Sequence, residues 1–158
     1  MPGIDEKDRE ILRILRKNGR VTLTELGKRV NLSPASVKSR VEKLEKLGAI
    51  KGYSAIIDPS FLGNFVRALI FIRLKEVDPY TRSLLREVAS LENVEFLYIK
   101  TGDRNVIIKA EFEDMEELRK FLGSLKKTFG INALTIEANL VVEELKGCWL
   151  ADEDASRL

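Results

Sequence analysis

Two short stretches of this sequence gather side chains able to do chemistry. The first is LSPASVKSRVEKLEKLGAI, residues 32–50, where Ser33, Ala35, Ser36 and Ser39 are interleaved with Lys38, Arg40 and Lys43. Short hydroxyls can hydrogen-bond to base edges, and cations beside them can hold phosphate oxygens. The second is Thr101-Gly102-Asp103-Arg104-Asn105, with a carboxylate, a guanidinium and an amide in five residues. Such a set could hold the ammonium and carboxylate of an amino acid through charge-assisted hydrogen bonds. It could equally be a hairpin turn in which glycine and aspartate serve the backbone.

Elsewhere the chain excludes more than it offers. It has no histidine and one cysteine, Cys148. That rules out a Ser-His-Asp triad, a histidine base and a thiolate metal cluster. The acidic pairs Glu116-Glu117 and Glu143-Glu144 have no third ligand converging on them, so no metal site and no cofactor is expected. No apolar run reaches the roughly 18–20 residues that cross a bilayer. The polar, acidic first eight residues form no secretory core, and a lone cysteine suits a reducing compartment. The expectation is a cytoplasmic protein with no membrane partner and no enzymatic activity.

Three helices must position the first stretch. One opens at Asp5, with Asp8 three residues on, and ends at Asn18-Gly19, burying Ile11, Leu12, Ile14 and Leu15. The second starts with a capping box at Thr22 and Glu25 and buries Leu23, Leu26 and Val30. Gly27 inside it calls for close approach by another helix. The third starts at Ser33-Pro34, buries Val37, Val41 and Leu44, and stops at Gly48. Turning ~100° per residue places Ala35, Ser36, Ser39 and Lys43 outside, with Lys38 and Arg40 on the flanks. Ala35, Ser36 and Ser39 are the candidates for base contact. Lys38, Arg40 and Lys43 are candidates for phosphates, although Arg40 could also pair with a neighbouring acid. A three-helix bundle with a solvated basic face fits the same pattern. Charge favours DNA: residues 27–51 hold seven Lys/Arg against two Glu. Residues 1–64 hold 13 basic and 8 acidic side chains, a net +5, whereas residues 65–158 hold 14 and 17, a net −3.

Leu32-Ser33, Val37, Arg40-Val41, Leu44-Glu45, Gly48, Ile50 and Gly52-Tyr53, preceded by Asp5, Asp8, Ile11-Leu12 and Arg20, resemble the Lrp/AsnC family of transcription regulators. The resemblance implies an N-terminal (winged) helix-turn-helix domain over residues 1–52. A connecting strand and linker are expected at 53–64.

The remainder alternates strands and helices. Strands are expected at Phe65–Lys75, Val94–Thr101, Asn105–Phe112 and Ala133–Leu145, with helices at Pro79–Leu91 and Met115–Lys127. The order β-α-β-β-α-β is ferredoxin-like, making the chain α+β overall. One sheet face, expected to pack under both helices, holds Ala68, Ile70, Ile72 and Leu74, then Val106, Ile108, Ala110 and Phe112. The last strand would add Leu134, Ile136, Ala138, Leu140 and Val142. Leu69, Phe71, Leu97, Ile99, Ile107 and Val141 would then be left on the open face, which predicts a homodimer formed sheet to sheet.

The resemblance extends over residues 65–147, a RAM domain that binds effectors and oligomerises, and leaves 148–158 as a tail. It further implies dimers that assemble to octamers or higher, pseudo-palindromic double-stranded DNA sites, and an amino-acid effector near Gly102-Asp103. Asn105 stands where the family often has aspartate. An amino-acid-binding module that acts on an enzyme, without a DNA target of its own, is the alternative.

Overall fold

The computed structural model describes residues 3–55 and 57–144, which fall into two compact units on either side of residue 56. Cys148, Trp149, the tail 150–158 and Leu145 at the end of the expected last strand lie outside the described residues.

In the first unit each helix begins where its cap stands. Asp5 opens α1 (Glu6–Lys17) with a reciprocal capping box to Asp8, Thr22 opens α2 (Leu23–Val30), and Ser33 opens α3 (Pro34–Lys46). Ile11, Leu26, Val30, Val37 and Leu44 make the core, and Leu12, Ile14, Leu15 and Val41 pack around it half-buried. Leu23, expected inside, is exposed: it is the first residue of α2 and sits at the rim of that core. Between α2 and α3, Asn31 takes the left-handed conformation (φ 55°), which asparagine tolerates better than most residues. The turn brings Leu32 N–H within 2.9 Å of the Gly27 carbonyl. A Cβ on Gly27 would lie 2.6 Å from the Leu32 oxygen. The neighbour that demands glycine is therefore the turn backbone, not a second helix. Gly48 (φ +68°) ends α3 in the expected place.

No strand forms among the described residues of 49–58, so neither a wing ladder nor the expected connecting strand is present there. Pro59–Leu62 closes into one 3₁₀ turn.

The second unit is β1 (Val66–Leu74), α4 (Pro79–Ala89), β2 (Val94–Ile99), β3 (Val106–Phe112), α5 (Met115–Phe129) and β4 (Ala133–Leu140). Its antiparallel sheet runs β2-β3-β1-β4, the ferredoxin-like order. Ala68, Ile70, Ile72, Val106, Ile108 and Ala110 are fully buried beneath Leu85, Leu118 and Leu125 of the two helices. Two bulges change the expected faces. Val94 pairs with Ala110 but Phe96 with Lys109, so Glu95 is an extra residue. From there on, Leu97 and Ile99 align with Ile108 and Val106 on the core face, and Phe96 and Tyr98 turn to the open one. On β4, Arg73 pairs with Thr135 and Leu74 with Ala133, which leaves Leu134 bulged out and half exposed. Leu140 and Val142 are also exposed; only Ile136 and Ala138 of the expected set join the core.

Candidate nucleic-acid interface and effector loop

The start of α3 is built for approach by an anion. Ser33 Oγ accepts from Ser36 N–H at 3.2 Å, and Pro34 occupies the first turn without a donor to satisfy. Of the described α-helices, α3 alone has neither a carboxylate cap nor an acid in its first turn. Its positive dipole end is therefore uncompensated. Ala35, Lys38 and Ser39 are exposed and Ser36 is half-buried. Among the described residues Lys38 pairs loosely with Glu42, at 3.9 Å and exposed.

Arg40 and Lys43 are placed differently. Arg40 Nη1 donates to Asp5 Oδ2 and Asp8 Oδ1, both at 2.7 Å, and Lys43 Nζ donates to Asp8 Oδ2 at 3.0 Å. Asp8 is fully buried. Burial alone would raise its pKa, but the hydrogen bonds from Arg40 and Lys43 outweigh it and hold the carboxyl below its ordinary 3.8. Asp5 is lowered as well, chiefly by Arg40, and Arg40 is raised by its bonds to Asp5 and Asp8. Both cations thus hold carboxylates at the capped end of α1, Arg40 half-buried and Lys43 exposed. Arg40, half-buried on the flank that the helical rotation suggests, takes the neighbouring acids as partners, and 37, 40, 41 and 44 together make an i, i+3, i+4, i+7 pattern. That spacing is the signal for an internal partner. Nothing in the spacing of Asp8 points beyond its cap.

The loop 101–105 joins β2 to β3 as a hairpin, with Gly102 at φ +95°. Thr101, Gly102, Asp103 and Arg104 are exposed. Asp103 pairs with Arg73 at 3.3 Å and Arg104 with Glu137 at 2.7 Å, its guanidinium 5.8 Å from the Phe71 ring centre. Asn105 is turned inward: its Oδ1 accepts from Leu74 N–H at 2.8 Å and its Nδ2 donates to Leu74 C=O at 2.9 Å. It stitches the hairpin to β1.

The open sheet face carries Leu69, Phe71, Phe96, Tyr98 and Ile107 around one buried cation, Lys109. Lys109 Nζ reaches Glu95 at 2.7 Å and Glu144 at 3.2 Å, and Arg67 reaches Glu144 at 3.1 Å. Burial would lower the Lys109 pKa, but the two carboxylates raise it overall. Among the described residues no group of histidine, cysteine and carboxylate ligands could hold a metal ion.

Comparison with known proteins places both units. Residues 4–51 match a winged helix-turn-helix DNA-binding family model, and residues 67–147 match the Lrp/AsnC ligand-binding domain. The chain belongs to the Lrp/AsnC family. It is 50% identical over 148 residues to an "uncharacterized HTH-type transcriptional regulator" of Pyrococcus furiosus, covering 92% of this chain and 96% of that one. It is 35% identical to the leucine-responsive regulatory protein of Escherichia coli, covering 92% and 90%. The E. coli AsnC structure superposes with a TM-score of 0.74 at 31% identity, covering 92% of this chain and 96% of that one. This Lrp/AsnC protein is therefore a DNA-binding transcriptional regulator with a ligand-binding domain, and not an enzyme. A ligand-binding module without a DNA target is not favoured. No helix among the described residues is long and apolar enough to cross a membrane.

Proposed function

We propose that α3 reads duplex DNA with Ala35, Ser36 and Ser39 at the base edges, Ser33 at the helix start and Lys38 on phosphate. The observation that carries this is the exposed, carboxylate-free N-terminal face of α3. Two copies join through the open sheet face at Leu69, Phe71, Phe96, Tyr98 and Ile107, in a protein that works in the cytoplasm with its DNA. A two-fold dimer needs pseudo-palindromic sites, with half-sites about 34–36 Å apart or multiples of that. Dimers assemble further, toward an octamer.

The effector is an amino acid held at Thr101, Gly102, Asp103 and Arg104. Its ammonium replaces a guanidinium at Asp103 or Glu137, and its carboxylate replaces a carboxylate at Arg73 or Arg104. Exposed pairs of this kind contribute ~0–1 kcal/mol each, so exchange costs little.

Footprinting upstream of the protein's own gene, repeated with each common amino acid, tests the reading. A protected pseudo-palindrome whose extent or affinity changes with one amino acid is expected. No protection on any DNA would defeat the DNA role of α3, and indifference to every amino acid would defeat the effector role alone. A monomer at micromolar concentration in the ultracentrifuge would defeat the dimer.

A further inference from the structure

The Asp5–Asp8–Arg40–Lys43 cluster belongs to no expected site. It lies at the capped end of α1, where Arg40, one turn on from Ser36, and Lys43, one turn on from Ser39, reach the carboxylates of Asp5 and Asp8. Apolar contacts at Val37, Val41 and Leu44 set how deeply α3 packs, but they are non-directional and tolerate rotation about the helix axis. Hydrogen bonds are directional. Arg40 and Lys43 lie three residues apart on α3 and grip the two oxygens of one carboxylate, a two-point attachment that fixes the roll of the helix. Roll decides whether Ala35, Ser36 and Ser39 face a groove.

The anchor itself is rigid. Asp8 is fully buried, its carboxylate accepts from Asp5 N–H at 3.2 Å while its own N–H donates to the Asp5 carboxylate at 2.8 Å, and the dipole at the start of α1 favours its charge. Were Arg40 to swing out to a phosphate, it would weaken the neutralisation of a buried carboxylate, which is costly. Lys38 forgoes only an exposed, loose pair by doing so.

We propose that Asp8 is the positioning residue of the DNA-reading helix, and that Arg40 serves this clamp and contacts no phosphate. The proposal rests on α3 being the helix that enters the groove. It divides the basic residues of α3 into two classes with different salt signatures. Removing one cation from a phosphate reduces the slope of log affinity against log salt by about 0.9.

The experiment uses the full chain and its Asp8→Asn, Arg40→Gln and Lys38→Ala variants. Affinity for the footprinted duplex and for a scrambled duplex is measured by fluorescence anisotropy across a potassium chloride series. Circular dichroism checks that each variant folds. Arg40→Gln is expected to keep the wild-type salt slope on the scrambled duplex while binding to the footprinted duplex falls about tenfold or more. Asp8→Asn should lose specific binding to a similar extent, and the Asp8→Asn/Arg40→Gln double variant should be little worse than either alone. Lys38→Ala should weaken both duplexes alike and flatten the slope by about 0.9 per protomer.

A flattened slope for Arg40→Gln would overturn the proposal, since it would make Arg40 a phosphate contact. So would an unchanged ratio of specific to scrambled affinity in Asp8→Asn. If Asp8→Asn fails to fold, the Arg40→Gln slope decides the matter. If Lys38→Ala also leaves binding and slope untouched, the fault lies with α3 as the reading helix and not with the clamp.

Discussion

The clamp on α3 and the loop at 101–105 use the same chemistry to opposite ends. Each brings guanidinium to carboxylate, at 2.7 Å for Arg40–Asp8 and 2.7 Å for Arg104–Glu137. Distance therefore does not separate them. Exposure does: the Asp8 side chain is 0% exposed, whereas Arg104 and Glu137 are 51% and 43% exposed and Asp103 is 77% exposed. A buried carboxylate without its cations is left uncompensated in a medium that solvates it poorly. An exposed one is taken up by water. The first arrangement can only hold; the second can open at little cost.

The largest effect that would break this contrast is on stability. Asp8→Ala takes Lys43's carboxylate away and leaves Arg40 with Asp5 alone, and it should destabilise the helical unit by about 2–4 kcal/mol, for the loss of two charge-assisted hydrogen bonds and half of a capping box. Urea unfolding followed at the helical signal measures it. A loss below about 1 kcal/mol would put Asp8 in the same class as Asp103 and erase the distinction.

Acid should find the same difference. The Asp8 carboxyl titrates below its ordinary 3.8 in the folded chain, so its contribution is fully present above that value. It is lost as pH falls through the lower folded value. Wild-type helical stability should drop across that window below about pH 4, and Asp8→Asn should flatten this limb without steepening any part of the curve above pH 5. A limb unchanged by Asp8→Asn would assign the acid sensitivity to other carboxylates.

These contrasts are only partly legible in the sequence. The caps at Asp5, Thr22, Ser33, Asp78 and Asp114 are local signals, and each of the described α-helices starts at one. Strand order follows from element order. The open face does not: the bulge at Glu95 adds one residue and exchanges every later side chain of β2 between faces, while the one at Leu134 turns only the start of β4. Nothing in the residue types around 95 or 134 announces a bulge. Gly27 is legible as a close approach, but which backbone approaches it depends on how the Asn31 turn folds back. Arg40 reads equally as a phosphate contact or as the partner of a neighbouring acid, and only the fold brings Asp5 and Asp8 to it. For the loop, glycine and aspartate fit both a hairpin and a ligand site, and the inward turn of Asn105 depends on the β1 backbone, which is remote in sequence.

Asn105 gives the next effect in size. An aspartate there keeps the acceptor for Leu74 N–H but has no donor for Leu74 C=O, and it sets like partial charges facing each other. Asn105→Asp should cost about 1–3 kcal/mol of C-terminal stability, the range for a half-buried group left without its partner. Calorimetry on the full chain would read it. A neutral result would return residue 105 to the ligand-facing set.

The smallest stability effect belongs to the pair that would meet a ligand. Asp103→Asn removes an exposed partner of Arg73 at 3.3 Å, and Arg104→Ala removes the partner of Glu137 together with a contact on the Phe71 ring. Each should change stability by less than about 1 kcal/mol, with Arg104→Ala the larger because packing goes with the charge. Yet both should alter the response of the footprint to the amino acid that shifts it, since each removes one pole of a zwitterion site. Small cost and large response together would mark an exchangeable pair. A stability loss of several kcal/mol at Asp103 would make the loop a second clamp, and the effector would then have to bind elsewhere.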